Sequence, residues 1–161
     1  MLTSHGHGTG GNPIDNDPKI SLDDAYALKT PADNVALYRD WAETYDVEFA
    51  QNRGYQYPQK IADIYFHHAR PDDTPVLDVG SGTGLVATAL QERQVINARL
   101  TIDGVDISPE MLAISRTKQV YRHVFEADLT QPIDLPEKQY GAVVSAGTFT
   151  HGHVGPEALI K

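Results

Sequence analysis

The chain has 161 residues, with 13 basic and 22 acidic side chains and a formal net charge of −9 at pH 7. That balance argues against a nucleic-acid partner, because binding to a phosphate backbone depends on clustered Lys and Arg. The lack of Cys excludes a disulfide framework and thiolate chemistry. No apolar run approaches the roughly 20 residues of a membrane-spanning helix, and no basic-plus-apolar leader opens the chain. We therefore expect a cytoplasmic protein with no membrane partner.

The first 71 residues are predicted to form a flexible tail and then a helical cap. Gly, His, Asn, Asp and Pro dominate residues 4–18, so the tail, residues 1–30, has almost nothing to bury. In the cap, residues 31–71, a helix begins near residue 33, and a second is predicted over 58–68. The first helix places an aromatic stripe on one face, formed by Tyr38, Trp41, Tyr45 and Phe49. Core packing explains most of that stripe.

A glycine-rich turn follows the first predicted strand, residues 76–79, and precedes a predicted helix over 83–94. Its glycines are Gly80, Gly82 and Gly84, in alternation with small polar residues. Glycine permits positive φ and removes side chains that would block a ligand, and the new helix offers free N–H groups. A tight turn without a ligand is the alternative. A dinucleotide fingerprint would place the third glycine at position 85, so the spacing does not indicate pyrophosphate binding.

Three further strands are predicted over residues 98–106, 120–126 and 140–147, with a helix between the first two of these. The pattern predicts an α/β fold, a Rossmann-like doubly wound parallel sheet with N-terminal helices. Right-handed crossovers order the four strands 3-2-1-4. The core is residues 72–161, and its fourth strand becomes an exposed apolar edge.

Asp106 closes the second of these strands. A carboxylate at that place binds ribose hydroxyls in open doubly wound sheets, because one ionised carboxylate accepts from two hydroxyls. The alternative is a helix cap. Ser108 is the better cap, since Pro109 follows it at the first helical position, so we favour ribose binding for Asp106.

The stretch Asp78-Val79-Gly80-Ser81-Gly82-Thr83-Gly84 resembles motif I of the class I S-adenosylmethionine (SAM)-dependent methyltransferases, whose pattern is acidic-x-Gly-x-Gly-x-Gly. The match has no departure. The resemblance implies that the glycine backbone packs against the methionyl part of SAM. It also implies that Asp78 organises the loop or reaches the amino group of the cofactor.

Further stretches resemble the same family in the same order. Residues 104–112 resemble its second motif, residues 127–129 its acidic adenine-edge triplet, and residues 140–153 its motif IV. Residues 38–46 resemble the Tyr-x-x-Trp-Ala-x-x-Tyr-Asp segment that precedes motif I in many small-molecule methyltransferases. The resemblance implies additional cofactor contacts from Tyr38, Tyr45, Ile107, Asp128, Leu129 and Ala146.

His151 follows the fourth strand at the edge where such sheets hold their sites. It is a candidate general base or acceptor-orienting donor, and the alternative is a loop histidine without a chemical role. His151 and His153 lack an evident third ligand, so no metal site is predicted.

The leading hypothesis is therefore methyl transfer from SAM to a small molecule. A second is a truncated cofactor-binding domain without independent catalysis, either a fragment or a non-catalytic partner of a longer chain. An NAD-dependent oxidoreductase is a third, and the glycine spacing counts against it. The resemblance implies a sheet of seven strands, and only four are predicted here, so the core is expected to lack the later strands. For these missing strands we expect a fragment or truncated gene product. The alternative is self-association, or a partner chain that covers the fourth-strand edge.

Overall fold

The computed structural model describes residues 45–46, 54–93, 99–135, 139–149, 154–155 and 158. Its helices and strands, in chain order, are α1 (Tyr57–His68), β1 (Val76–Val79), α2 (Leu85–Arg93), β2 (Ile102–Asp106), α3 (Pro109–Lys118), β3 (His123–Glu126) and β4 (Ala142–Val144). The boundaries predicted at residues 30 and 71 stay predictions, since only two residues before Gly54 are described.

The four described strands form one parallel sheet in the order β3-β2-β1-β4. The predicted α/β class and the strand order 3-2-1-4 are confirmed. The second, third and fourth strands are shorter than predicted: β2 and β3 begin later, at Ile102 and His123, and β4 covers only Ala142–Val144. Strand β4 lies at the edge of the described sheet, and its Val143 side chain is 63% exposed.

Side chains alternate between two faces of the sheet, and the strand register sets which ones share a face. Val76 pairs with Ile102, and both join the cluster that packs beneath helices α1 and α2. Leu77 and Val105 point to the opposite face and pack with Leu129. Complete burial of a side chain such as Ile102 contributes about 1.5 to 3 kcal/mol. The sheet is therefore held from both sides, with the helices on the first face.

Helix α3 has the predicted cap. Ser108 has extended backbone angles, and its Oγ accepts a 3.2 Å hydrogen bond from the Met111 N–H. Pro109 occupies the first helical position, where a missing N–H costs nothing. The helix ends after Lys118, where Gln119 adopts left-handed angles with φ of 54°. These caps place the start of α3 directly beside Asp106.

Across the described residues, no helix is long and apolar enough to cross a membrane. The same part of the chain holds no group of three or more His, Cys, Asp or Glu side chains arranged for a metal ion.

Candidate cofactor site

The turn between β1 and α2 has the conformation that its glycines predict. Gly80, Gly82 and Gly84 have φ values of 70°, 50° and 90°, a region that other residues rarely adopt. The N–H groups of Gly80 and Ser81 both donate to the Val105 carbonyl, at 2.8 and 3.0 Å. The turn is therefore tied to the carboxyl end of β2 as well as to β1.

The three glycines have different surroundings. A Cβ added to Gly80 would collide with the side chain of Thr148. One added to Gly84 would lie 3.2 Å from the ring of Tyr121. Only at Gly82 would an added Cβ meet no atom within 4 Å. Gly80 and Gly84 therefore allow close packing inside the protein, whereas Gly82 leaves its backbone open to a ligand.

Asp106 joins the turn to the start of α3. Its Oδ2 accepts from the Gly82 N–H at 2.7 Å, and its Oδ1 accepts from the Ser108 N–H at 2.9 Å. Burial of the carboxyl group raises its pKa, and these backbone hydrogen bonds offset part of that rise. Capping and ribose binding are alternative predictions for Asp106, and the structure gives it a backbone contact at the helix start, from the Ser108 N–H. Each carboxylate oxygen has a further lone pair, so acceptance from ribose hydroxyls stays a prediction.

Asp78 is completely buried beneath the turn. Its Oδ2 accepts a 2.6 Å hydrogen bond from the Tyr121 hydroxyl, and its Oδ1 has no hydrogen-bond partner among the described residues. Burial raises the pKa of Asp78 to about 7, the Tyr121 hydrogen bond opposes that rise, and the Asp106 charge adds to it. Both predicted roles of Asp78, organising the loop and reaching the amino group of the cofactor, stay predictions.

Tyr121 is a site residue that the sequence analysis missed. Residues 120–126 were interpreted as one strand, but β3 begins at His123, and Tyr121 lies before it. Its phenol is partly buried, and burial and the Asp78 charge raise its pKa well above 10. No motif marks the residue, because its partner Asp78 lies 43 residues earlier in the chain.

Two hydroxyl groups after β4 were also missed. Ser145 and Thr148 donate to the Val79 carbonyl at 2.7 and 3.1 Å. They satisfy the carbonyl at the end of β1, where the pairing with β4 has stopped. The predicted cofactor residue Ala146 lies between them in sequence and is partly buried against the helix-covered face. The segment after β4 is therefore held next to the glycine turn.

The predicted adenine-edge residues divide between loop and core. Asp128 accepts from the N–H and the hydroxyl of Thr130, at 2.8 and 2.7 Å, as an ordinary loop acid does. Leu129 is only 9% exposed and packs with Leu77 in the core. Ile107 is partly buried next to Asp106. Their roles in adenine binding stay predictions.

The cap reaches the turn through Asp46, the residue after Tyr45. Asp46 accepts a 2.5 Å hydrogen bond from the Thr83 hydroxyl and pairs with the Lys118 ammonium at 2.5 Å. Tyr45 itself is partly buried. Two predicted site residues, Tyr38 and His151, lie outside the described residues. The structure thus brings together Asp78, Asp106 and the glycine turn, with Asp46 joined to the turn through Thr83.

The chain is similar to known proteins. The model of the family described as "Methyltransferase domain" matches residues 76–161. Human methyltransferase-like protein 27 is 30% identical over 138 residues, which are 84% of this chain and 54% of that protein.

Two solved structures are also similar to this chain. The complex of DhpI with SAM and HEP has a TM-score of 0.55 and 25% identity, and the match covers 79% of this chain and 54% of DhpI. The CcbJ methyltransferase from Streptomyces caelestis has a TM-score of 0.52 and 27% identity, with 69% and 44% covered. The chain thus spans about half the length of these relatives. On the family match, this chain belongs to the methyltransferase-domain family.

Proposed function

We propose that the chain binds SAM at the glycine turn and promotes transfer of its methyl group to a small molecule. The observation that carries the proposal is the open Gly82 backbone, held by Asp106 above a buried acid, in a chain of the methyltransferase-domain family. The structurally similar DhpI was solved as a complex with SAM, which supports the choice of cofactor.

The charges of the site suit a cationic ligand. When bound, SAM supplies an electrophilic methyl group on a positively charged sulfur. The Asp78 and Asp106 carboxyls lie close enough for the Asp106 charge to raise the pKa of Asp78. Burial raises the pKa of both, so a nearby positive charge stabilises their ionised forms. A ligand with a positive charge is therefore favoured over a neutral one.

The residues around the turn would mainly position the reactants, since alignment of donor and acceptor supplies much of the rate in such a transfer. We assign the methionyl part to the backbone of the turn, the ribose to Asp106, and the adenine edge to Ile107 and Asp128. His151 is proposed as the base for an oxygen acceptor. The acceptor class rests on the resemblance of residues 38–46 to small-molecule methyltransferases.

The competing proposal is a domain that holds SAM without independent transfer. The chain spans 54% of the human relative, so activity is a separate question from binding. A methyl-transfer assay of the chain with and without a full-length relative separates the two, because turnover by the chain alone contradicts the competing proposal. The comparisons all concern methyltransferases and give no support to an NAD-dependent oxidoreductase.

Cofactor binding is tested by isothermal titration calorimetry with SAM and with NAD. We expect saturable binding of SAM at one site and no binding of NAD. Gly82→Ala should weaken SAM binding by tenfold or more, an order-of-magnitude expectation for an added methyl in a close backbone contact. Tight binding of NAD, or SAM affinity unchanged by Gly82→Ala, would contradict the proposal.

Gly54→Ala is the matched control. Gly54 also has a positive φ, 62°, and an added Cβ there also meets no atom within 4 Å. Both substitutions therefore carry the same kind of backbone strain, but only Gly82 lies in the turn. Gly54→Ala should lower stability to a similar degree and leave the SAM affinity unchanged.

The proposal also covers the partner chains of this protein and its cellular location. The exposed Val143 side chain on β4 supports self-association or a partner strand at that edge. The cytoplasmic location remains a prediction from the sequence.

A further inference from the structure

We infer that Tyr121 is a positioning residue of the cofactor site, which acts through Asp78 to keep a negative charge beneath the glycine turn. The inference rests on the proposed function, since it concerns affinity for a cationic cofactor. Tyr121 has no place in the motifs that suggested that function.

The first observation is the space that the Tyr121 ring occupies. A Cβ added to Gly84 would lie 3.2 Å from the ring, and one added to Gly104 would lie 3.1 Å from its Cζ. Two glycines on neighbouring segments, one in the turn and one in β2, therefore leave room for one phenol. A Cβ at either position would press on the ring, and at Gly104 it would first meet the Ser81 hydroxyl, at 2.9 Å.

The second observation is that the phenol is the sole hydrogen-bond donor to the Asp78 side chain within the described residues. Its hydroxyl donates to Oδ2 at 2.6 Å, while Oδ1 is buried without a partner. The Ser81 hydroxyl is buried close by and also lacks a partner in the described structure. An ionised, buried carboxylate normally needs several donors. The single phenol hydrogen bond therefore has a large influence on whether Asp78 carries a charge.

The charge of one neighbouring residue opposes the ionisation of Asp78. Asp106 is the other titratable group that acts on Asp78, and its charge disfavours ionisation. Strand β4 places the apolar Val144 in register with Asp78, and helix α3 places Ser115 beside Gly84. Asp103, the other acid of β2, points to the opposite face, where Arg122 neutralises it.

These contacts predict a specific effect on cofactor binding. Burial raises the pKa of Asp78 to about 7, so the group changes charge within the ordinary pH range. The Tyr121 hydrogen bond favours the ionised form, and its removal raises that pKa further, by about one unit or more for a charge-assisted bond. A cationic ligand binds better above an ionised Asp78. Loss of the phenol hydroxyl should thus weaken cofactor binding only at pH values at which it lowers the ionised fraction of Asp78.

The test is the ratio of the SAM dissociation constants of Tyr121→Phe and the wild type, measured calorimetrically from pH 6 to pH 9. Because SAM titrates identically in both experiments, its own ionisation cancels in the ratio. We expect a ratio of about five near pH 7, for a shift of one unit, falling toward one at pH 9. A purely structural role gives a ratio that does not depend on pH, and that result would overturn the inference.

Two further variants serve as controls for this test. Tyr140→Phe removes a phenol hydroxyl that donates to the other buried acid, Asp103, and its ratio should stay near one at every pH. In the Asp78→Asn background, Tyr121→Phe should no longer produce a pH-dependent ratio, because the titrating carboxyl is gone. A pH-dependent ratio in that background would contradict the inference.

Failure of the proposed function gives a different result. If the wild-type chain binds no SAM at any pH, the proposed function and this inference both fall. If it binds SAM and the ratio is independent of pH, the proposed function stands and only the role of Tyr121 is wrong.

Discussion

Two buried aspartates on neighbouring strands, Asp78 of β1 and Asp103 of β2, show how differently one side chain is used in this fold. Neither is exposed to solvent. Asp103 pairs in register with Leu77, one residue before Asp78, so the two carboxyls point to opposite faces of the sheet. Asp78 lies deeper in the protein than Asp103, and the two acids also differ in the donors that surround them.

Asp103 is surrounded by donors. The Arg122 guanidinium donates to both of its oxygens, at 3.0 and 2.6 Å, and the His123 N–H and the Tyr140 hydroxyl add bonds of 3.0 and 2.9 Å. Burial opposes ionisation of Asp103, but these hydrogen bonds and the Arg122 charge outweigh it and lower the pKa. Asp103 therefore joins β2 to the start of β3 and to the segment before β4, a structural role.

Asp78 has one described donor and one buried oxygen without a described partner. Burial raises the pKa of Asp78, whereas at Asp103 the surrounding donors outweigh the effect of burial. A buried acid without enough donors or positive charges to offset its lost solvation lowers stability. Such acids are characteristic of functional sites. The comparison teaches that burial alone does not make an acid structural, because the number and charge of its donors decide.

The comparison gives the two acids opposite effects on stability as pH changes. The pKa of Asp78 is higher in the folded state than in the unfolded state, so its ionisation destabilises the fold. Its stabilising contribution is complete below about pH 4 and is lost as pH rises to about 7. The pKa of Asp103 is lower in the folded state, so its contribution is present above about pH 4 and is lost as pH falls through that lower value.

The largest expected effect comes from Asp78→Asn, which removes the titrating carboxyl without changing its shape. As pH rises from 4 to 7.5, the unfolding free energy of the variant should increase relative to that of the wild type by up to about 4 kcal/mol. The reason is that the pKa of Asp78 differs by about three units between the folded and unfolded states. Urea unfolding at several pH values measures the difference. A difference that stays constant with pH would show that Asp78 titrates normally.

The next effect comes from Asp103→Ala, which removes the acceptor from four hydrogen bonds. The unfolding free energy at pH 7 should fall by about 2 kcal/mol, because the part-buried His123 N–H and Tyr140 hydroxyl lose their acceptor. The partial exposure of Arg122, whose side chain is 37% accessible, keeps the loss below that of a fully buried ion pair. Asp103→Asn, which keeps an oxygen acceptor, is the control and should cost less. A loss below about 1 kcal/mol for Asp103→Ala would contradict the structural role.

The smallest expected effect comes from Tyr140→Phe, which removes one of the donors to Asp103. The remaining donors keep the acid ionised, so the cost should be about 1 kcal/mol and should not vary between pH 5 and pH 9. Thermal and urea unfolding would measure it. A strong pH dependence would mean that Asp103 depends on a single phenol, as Asp78 does.

Patterns of local sequence predicted the fold well. The apolar runs, the glycine turn and the Ser108-Pro109 cap depend on residues within a few positions of each other, and the structure confirms the strand order and the cap. The family was also predicted correctly, because its motif I lies in one continuous stretch of seven residues.

Contacts between distant residues could not be predicted in the same way. The bond from Tyr121 to Asp78 spans 43 residues, and the bond from Thr148 to the Val79 carbonyl spans 69. Both depend on the register of neighbouring strands and on the loop conformations after α3 and β4. Neither follows from side-chain periodicity. The starts of β2 and β3 were predicted too early, and β4 was predicted too long at both ends, for the same reason, since pairing partners set where a strand begins and ends.

The account is tested most directly by an NMR titration of the two carboxyl groups in one sample, with ¹³C-labelled aspartate and with Asp78→Asn and Asp103→Asn for assignment. We expect Asp78 to titrate near pH 7 and Asp103 below the ordinary range of an aspartate, and we expect SAM to lower only the Asp78 midpoint. If both carboxyls titrate near pH 4 and neither responds to SAM, the distinction between a structural acid and a cofactor-site acid is wrong.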